Sequence, residues 1–212
     1  TLFRKHRFVL PHGTGGFAPL PEQRTKTITL RGLAQHHVAV GFPTETYMTE
    51  DAEALDVLAF IMSRKMFGEL RSKNTTWESG AYRTPIHTER TFGHGMWYLH
   101  FASLDKNFVL EGIQTFQSQC KNACENILDK NEIETAVGYM YDYQFKEWFS
   151  TDQSGLMEEI VNAVSNGDMN LDRLHARGDR LLQFLRASGR NKLRDVARKY
   201  FTNSATVVIE PE

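Results

Sequence analysis

Alternating and helical hydrophobic patterns replace one another several times along this chain. In TITLRGLAQHHVAVGFP, Val38, Val40 and Phe42 fall on one face of an extended segment, because side chains alternate along a strand, and Pro43 is expected to close it. The next run, TEDAEALDVLAFIMSRKMFGELRSK, places Leu55, Leu58, Ala59 and Met62 at helical spacing, with Ala54, Val57 and Ile61 widening the stripe. A helix apolar over that much of its girth should be largely buried. Two strand candidates follow, Gly80 to Thr88 and Met96 to Ala102, separated by the polar, Gly-containing ERTFGHG, a hairpin signal. From Asn107 the helical period returns, with Val109, Ile113, Phe116, Cys120, Ala123 and Ile127 on one face to about Leu128. Asp129 offers an N-cap side chain and Glu132 stands where a capping box requires it, which predicts a second helix from Lys130 to Trp148. Shorter helical patterns occupy Leu156 to Val164, Leu171 to Leu185 and Leu193 to Phe201, and SATVVIEP predicts a final strand.

Runs of strands and runs of helices without strict βαβ alternation point to an α+β fold, a mainly antiparallel sheet covered by helices. Residues 1–26 hold three Gly and three Pro in a polar setting and read as a linker or connecting segment, leaving 27–212 as a single domain. HGTGG within that segment lacks the G-K-[ST] ending of a phosphate-binding loop and is assigned to the linker.

Composition narrows the function. The 212 residues are 41% hydrophobic and carry 25 Lys and Arg against 26 Asp and Glu, a net charge of −1. No overall field draws the chain to nucleic acid or to an anionic membrane surface. No stretch approaches the roughly 18 apolar residues of a membrane span, and TLFRKHRFVLPHG lacks the apolar core of a secretory signal. A start at Thr1 is read as a processed chain or a fragment of a longer protein. Cys120 and Cys124 lie four apart in a helical pattern, a spacing poorly suited to a disulfide, and are read as buried thiols in a reducing compartment: cytosol, mitochondrial matrix or another organelle lumen.

Eight histidines raise the question of a metal. None forms H-x-x-E-H or H-E-x-x-H, the spacings that turn two imidazoles and a carboxylate toward one zinc. His36 and His37, as strand neighbours, point to opposite faces and cannot share an ion. No metal ligands and no cofactor are therefore expected in this chain. There is also no G-x-S-x-G elbow, and the cysteines sit in an apolar stripe, not in a thiolate-stabilising setting. No catalytic residue is assigned.

The block HHVAVGFPTETYMTEDAEALDVLAFIMSRKMFGELRSK resembles a pattern of the pitrilysin (insulinase) zinc-peptidase family: a strand ending in G-F or G-x-P, a short acidic gap, a long apolar helix, then F-x-E-L-R-x-K. SGAYRTPIH, MWYLHFASLDKNFVLEGIQTF and ILDKNEIETAVGYMYDYQF are similar to the family's following strands and helices in the same order, so that the likeness runs over residues 28–150. The resemblance implies a metallopeptidase-like domain of the LuxS and processing-peptidase type, present as two or four copies around a substrate chamber. Lacking H-x-x-E-H, this chain resembles a non-catalytic copy, with zinc held by another domain or subunit. The resemblance further implies substrate-binding roles for Arg71 in ELRSK and Tyr82 in SGAY, although NTTWE lengthens the segment between them.

Two functions follow from the resemblance. In one, the chain is the substrate-binding, chamber-forming domain of a zinc metalloendopeptidase that degrades or processes peptides. In the other, it is a catalytically inactive structural subunit of a larger complex, such as a mitochondrial one. Both require a second pitrilysin-family domain or subunit as partner. Tyr139, Tyr141, Tyr143, Phe145, Trp148 and Phe149 crowd one predicted helix beyond what one buried face needs, which points to contact with such a neighbour. A small ligand-binding module outside the family ranks below both.

Overall fold

A computed structural model describes residues 18–45, 50–72, 86–90, 95–142, 157, 160–161 and 176–212. Strands β1 (Arg24–Leu30), β2 (His36–Thr44), β3 (Ile86–Arg90), β4 (Gly95–Ser103) and β5 (Ala205–Pro211) form one sheet in the order β1-β5-β2-β4-β3. Only β1 and β5 pair in parallel; the other neighbours are antiparallel. The described helices are α1 (Ala52–Ser72), α2 (Lys106–Glu125), α3 (Lys130–Tyr141), α4 (Arg177–Leu182) and α5 (Ala187–Tyr200), with a 3₁₀ turn at Gln183–Leu185. The fold is α+β with a mainly antiparallel sheet, as the order of elements implies.

The alternation of β2 is realised in its burial: Val38, Val40 and Phe42 are in the core. They are joined by Trp97, Leu99 and Phe101 of β4, Ile86 of β3 and Val208 of β5. The wide apolar stripe of α1 packs on them, and Trp97 Nε1 donates to the Leu55 carbonyl at 3.1 Å, satisfying the one polar atom of a fully buried indole. Phe42, Phe116 and Phe201 surround that ring, with Phe201 4.4 Å from it between centroids. Gly112 lets α2 lie close against β4: a Cβ there would stand 2.6 Å from the Phe101 ring.

Caps and ion pairs fix the helices on this layer. Asp129 accepts from the amides of Asn131 and Glu132, the cap expected from its sequence, while Glu132 reaches Lys65 of α1 at 2.9 Å. Arg177 and Arg180 of α4 pair with Asp56 and Glu53 of α1 at 2.9 and 2.7 Å. Lys199 of α5 bridges Glu45 and Asp51, at the end of β2 and the start of α1, and the Tyr200 hydroxyl donates to the same Asp51 carboxylate at 3.0 Å.

Several boundaries depart from the sequence pattern. Pro43 does not close β2, which continues to Thr44; β5 pairs with β2 only as far as Gly41, so Pro43 lies on a stretch bordered by β4 alone, where a missing N–H is tolerated as on an edge strand. The second helix of the pattern, α2, stops at Glu125, leaving Ile127 half exposed while Leu128 enters the core instead. The last helix begins at Ala187 rather than Leu193, because its polar first turn has no apolar repeat to reveal it. A first strand begins at Arg24, within the segment read as linker, and it lacked a clear signal because its residues are mostly exposed. The remainder of the linker before residue 18, Gly80 to Pro85, the helical patterns at 143–148 and 171–175, and most of 156–164 lie outside the described residues.

Candidate partner-docking face

Every strand residue in the core cluster belongs to one side of the sheet, and the described helices pack there. The alternate residues form the other face. Register places Ile28 beside Ile209 and Lys26 beside Val207, then His37 and Ala39 of β2 beside Ile209 and Val207, then Tyr98 beside Gly41. Leu30 and Met96 are 45% and 37% exposed, and Ile28, Ala39, Tyr98, Val207 and Ile209 between them are half-buried, with none of them in the core cluster. Gly41 is a close-approach position, since a Cβ there would run into the backbone of Trp97 and Tyr98 on β4. Across its centre the face is apolar: β5 contributes Ala205, Val207, Ile209 and Pro211, and β2 contributes Ala39 and Pro43.

The β2–β4 half of this face carries the His37 and His100 rings, 5.9 Å apart between centroids and 12° from parallel. His36, one residue earlier, lies on the helix-covered side with its Nδ1 buried and without a hydrogen-bond partner, as strand alternation requires of the pair. Among the described residues, no three His, Cys, Asp or Glu side chains come together as a metal group. Cys120 and Cys124 are both free. Burial, with the neighbouring Cys124 adding to it, pushes the Cys120 thiol well above the usual range. Cys124 is raised by burial against the lowering pull of Arg198. Neither is a poised thiolate.

Arg71 lies in the last turn of α1, but its side chain and the whole of Tyr82 lie outside the described residues, as do the residues of NTTWE between them. Of the aromatic cluster, Tyr139 is 50% exposed and in ring contact with Phe60 of α1 at 5.0 Å; Tyr143 through Phe149 lie outside the description. Beside that contact, a cleft of about 330 Å³ runs between α1 and α3, lined by Phe60, Ile61, Arg64 and Thr135 and crossed by the Lys65–Glu132 pair. Sequence reasoning placed the docking surface on the aromatic helix and did not see the open sheet face. The signal for it was in TVVIEP, where Val207, Ile209 and Pro211 make the phase opposite to Val208 apolar as well.

Among the described residues, this α+β layer is clad by helices on one face of its sheet, the architecture of a metallopeptidase-like domain. Residues 5–139 match the model of the peptidase M16 inactive domain, and the chain belongs to that family. Solved structures share the fold. A protease from Helicobacter pylori superposes with a TM-score of 0.74 at 18% identity, over 90% of this chain and 44% of that one. A peptidase M16 inactive domain from Pseudomonas fluorescens gives 0.71 at 12% identity, over 93% and 45%. The periplasmic protease PqqL from Escherichia coli gives 0.64 at 14% identity, over 90% and 21%. The chain therefore spans less than half the length of these relatives. A comparison with curated protein sequences gave no match. Among the described residues, no helix is long and apolar enough to cross a membrane.

Proposed function

We propose that this chain is the substrate-side, chamber-forming domain of an M16-type zinc endopeptidase acting on unfolded peptides, with zinc and general base supplied by a second family domain or subunit. The observation that carries this reading is an apolar sheet face that no described helix covers, on a chain that spans less than half the length of its structural relatives. Exposing such a face costs about 25 cal/mol per Å² of apolar area, so it is better satisfied by a partner than by water. Arg71 and Tyr82 then supply a guanidinium and a phenol to the scissile carbonyl, where donors fixed in a water-poor chamber stabilise the oxyanion that develops. The two unpaired thiols suit a reducing compartment such as the mitochondrial matrix or cytosol.

The test is purification of the chain in its native assembly. The expected result is a partner domain or chain bearing H-x-x-E-H, peptidase activity that chelation abolishes, and no activity from this chain alone. Within that assembly, Arg71→Ala and Tyr82→Phe should each lower kcat about 100- to 1000-fold with little change in KM, while Lys73→Ala leaves both unchanged. One observation favours the second reading, a structural pseudo-peptidase subunit: NTTWE lengthens the segment between Arg71 and Tyr82. On that reading the native assembly is stable but cleaves no peptide, and Tyr82→Phe changes nothing.

A further inference from the structure

On the helix-covered side of the sheet, the cleft of about 330 Å³ between α1 and α3 collects polar groups that the fold leaves unused. Phe60, Ile61, Arg64 and Lys65 line it from α1, and Asn131, Glu132 and Thr135 from α3, each set recurring at the i, i+4 spacing of one helix face. Ile61 is 3% exposed and gives the cleft apolar surface, while Phe60 packs both on the core and against Tyr139. The Lys65–Glu132 pair at 2.9 Å ties the two helices together and neutralises itself. Arg64 differs: its guanidinium carbon lies over the Phe60 ring, 5.9 Å from the centroid, and it has no carboxylate partner among the described residues. The Thr135 hydroxyl and the Asn131 side-chain amide also make no hydrogen bond among the described residues, since Asn131 uses only its backbone N–H, on Asp129. One uncompensated positive charge, two neutral hydrogen-bonding groups and an aromatic wall therefore meet in one cleft.

We propose that this cleft binds a carboxylate carried on an apolar body, of the size of an aromatic or branched aliphatic residue at the end of a peptide. Its volume falls at the lower end of the roughly 300–1,000 Å³ of small-ligand pockets, which are apolar with a few convergent polar groups. A guanidinium stacked on a ring keeps its N–H edge free, and that planar fork meets a carboxylate bidentately. Thr135 and Asn131, on the facing helix, supply donors and an acceptor for the polar atoms beside the carboxylate, and the Phe60 ring and Ile61 take the apolar body. A doubly charged phosphate fits less well, because Lys65 is already neutralised and the Glu132 carboxylate repels a second negative charge. The free end of a peptide and a free organic acid offer the same chemistry. The cleft lies on the opposite side of the sheet from the open face, and the proposal stands whether or not the peptidase reading holds.

The test is an NMR titration of the full 212-residue chain, read at the Ile and Thr methyls and the Phe and Tyr rings, with N-acetylphenylalanine, its uncharged amide, 3-phenylpropionate and acetate. N-acetylphenylalanine should shift Phe60, Ile61, Thr135 and Tyr139 together and saturably, in the roughly millimolar range of so small a ligand. Binding should weaken roughly tenfold or more for the amide, and equally for Arg64→Gln, the loss expected of a charge-assisted hydrogen bond. Lys26→Gln, on the open sheet face, should leave it unchanged, and acetate, which has no apolar body, should not saturate. If 3-phenylpropionate binds as tightly as N-acetylphenylalanine, the ligand is a free organic acid; if it binds more weakly, the ligand is a peptide end. Arg64 is exposed, so Arg64→Gln should keep the fold, and the comparison of acid with amide needs no variant at all. Equal binding of acid and amide, or shifts at the four cleft residues that stay linear in concentration, overturns the proposal.

Discussion

The two faces of one sheet are built from the same five strands, residue by alternate residue, and differ in almost everything else. On one face Val38, Val40, Trp97, Leu99 and Phe101 have no solvent exposure at all, and α1, α2 and α5 interlock with them through Phe116, Phe201 and the Trp97–Leu55 hydrogen bond. On the other, Ile28, Val207, Ile209, Ala39 and Tyr98 are comparably apolar in aggregate, yet none enters the core. The first face explains why the chain folds. The second, which no described helix covers, contributes less to the stability of the lone chain and suits association.

That contrast predicts a steep difference between neighbouring residues. Trp97→Ala should destabilise the isolated chain by about 3–5 kcal/mol, because it removes a fully buried ring and leaves a cavity among Phe42, Phe116 and Phe201. Gly112→Val should cost about 1–3 kcal/mol by driving a branched side chain into Phe101 and lifting α2 off the clad face. Urea midpoints read both; a Trp97→Ala chain as stable as the parent would mean that the clad face is not the core.

Alkaline pH gives a smaller, signed effect on the same layer. Burial raises the thiol of Cys120 and the phenol of Tyr200, the latter helped by the Asp51 charge against a lowering hydrogen bond from Lys199. Burial alone would lower Lys199, but its hydrogen bonds to Asp51 and Glu45 prevail and raise it. In all three the folded state holds its proton to higher pH than the unfolded chain, so stability is full below the unfolded value and falls as pH rises past the ordinary thiol range, about 8.5 and upward. The urea midpoint should therefore drop between pH 7.5 and pH 10; a flat profile would place these groups nearer water than the packing shows. The smallest effect belongs to the open face: Met96→Ser should change the stability of the lone chain by no more than about 0.5 kcal/mol. A larger loss would mean that this face is already covered within the chain.

Legibility in the sequence divides along the same line. The strand at Val38, the whole of α1, the hairpin and the Asp129 cap were readable because each is set by local period or by a side chain acting on its own helix turn. β1 was not, because its exposed Arg, Lys and Thr residues carry little hydrophobic alternation and its parallel partner β5 lies at the far end of the chain. Pro43 misled because proline's meaning in a strand depends on which neighbour is present, a fact of topology. Of the candidate site, Arg71 and Tyr82 came from family resemblance, while the open face and the His37–His100 approach exist only through register between strands distant in sequence.

The most direct test of the central claim, that a second family domain covers the open sheet face, is side-chain footprinting by hydroxyl radicals on the lone chain and on its native assembly. The account predicts that Leu30, Met96 and Tyr98 are modified in the lone chain and protected severalfold in the assembly, while buried Met62 is unreactive in both. Equal modification of Leu30, Met96 and Tyr98 in the two samples would contradict it.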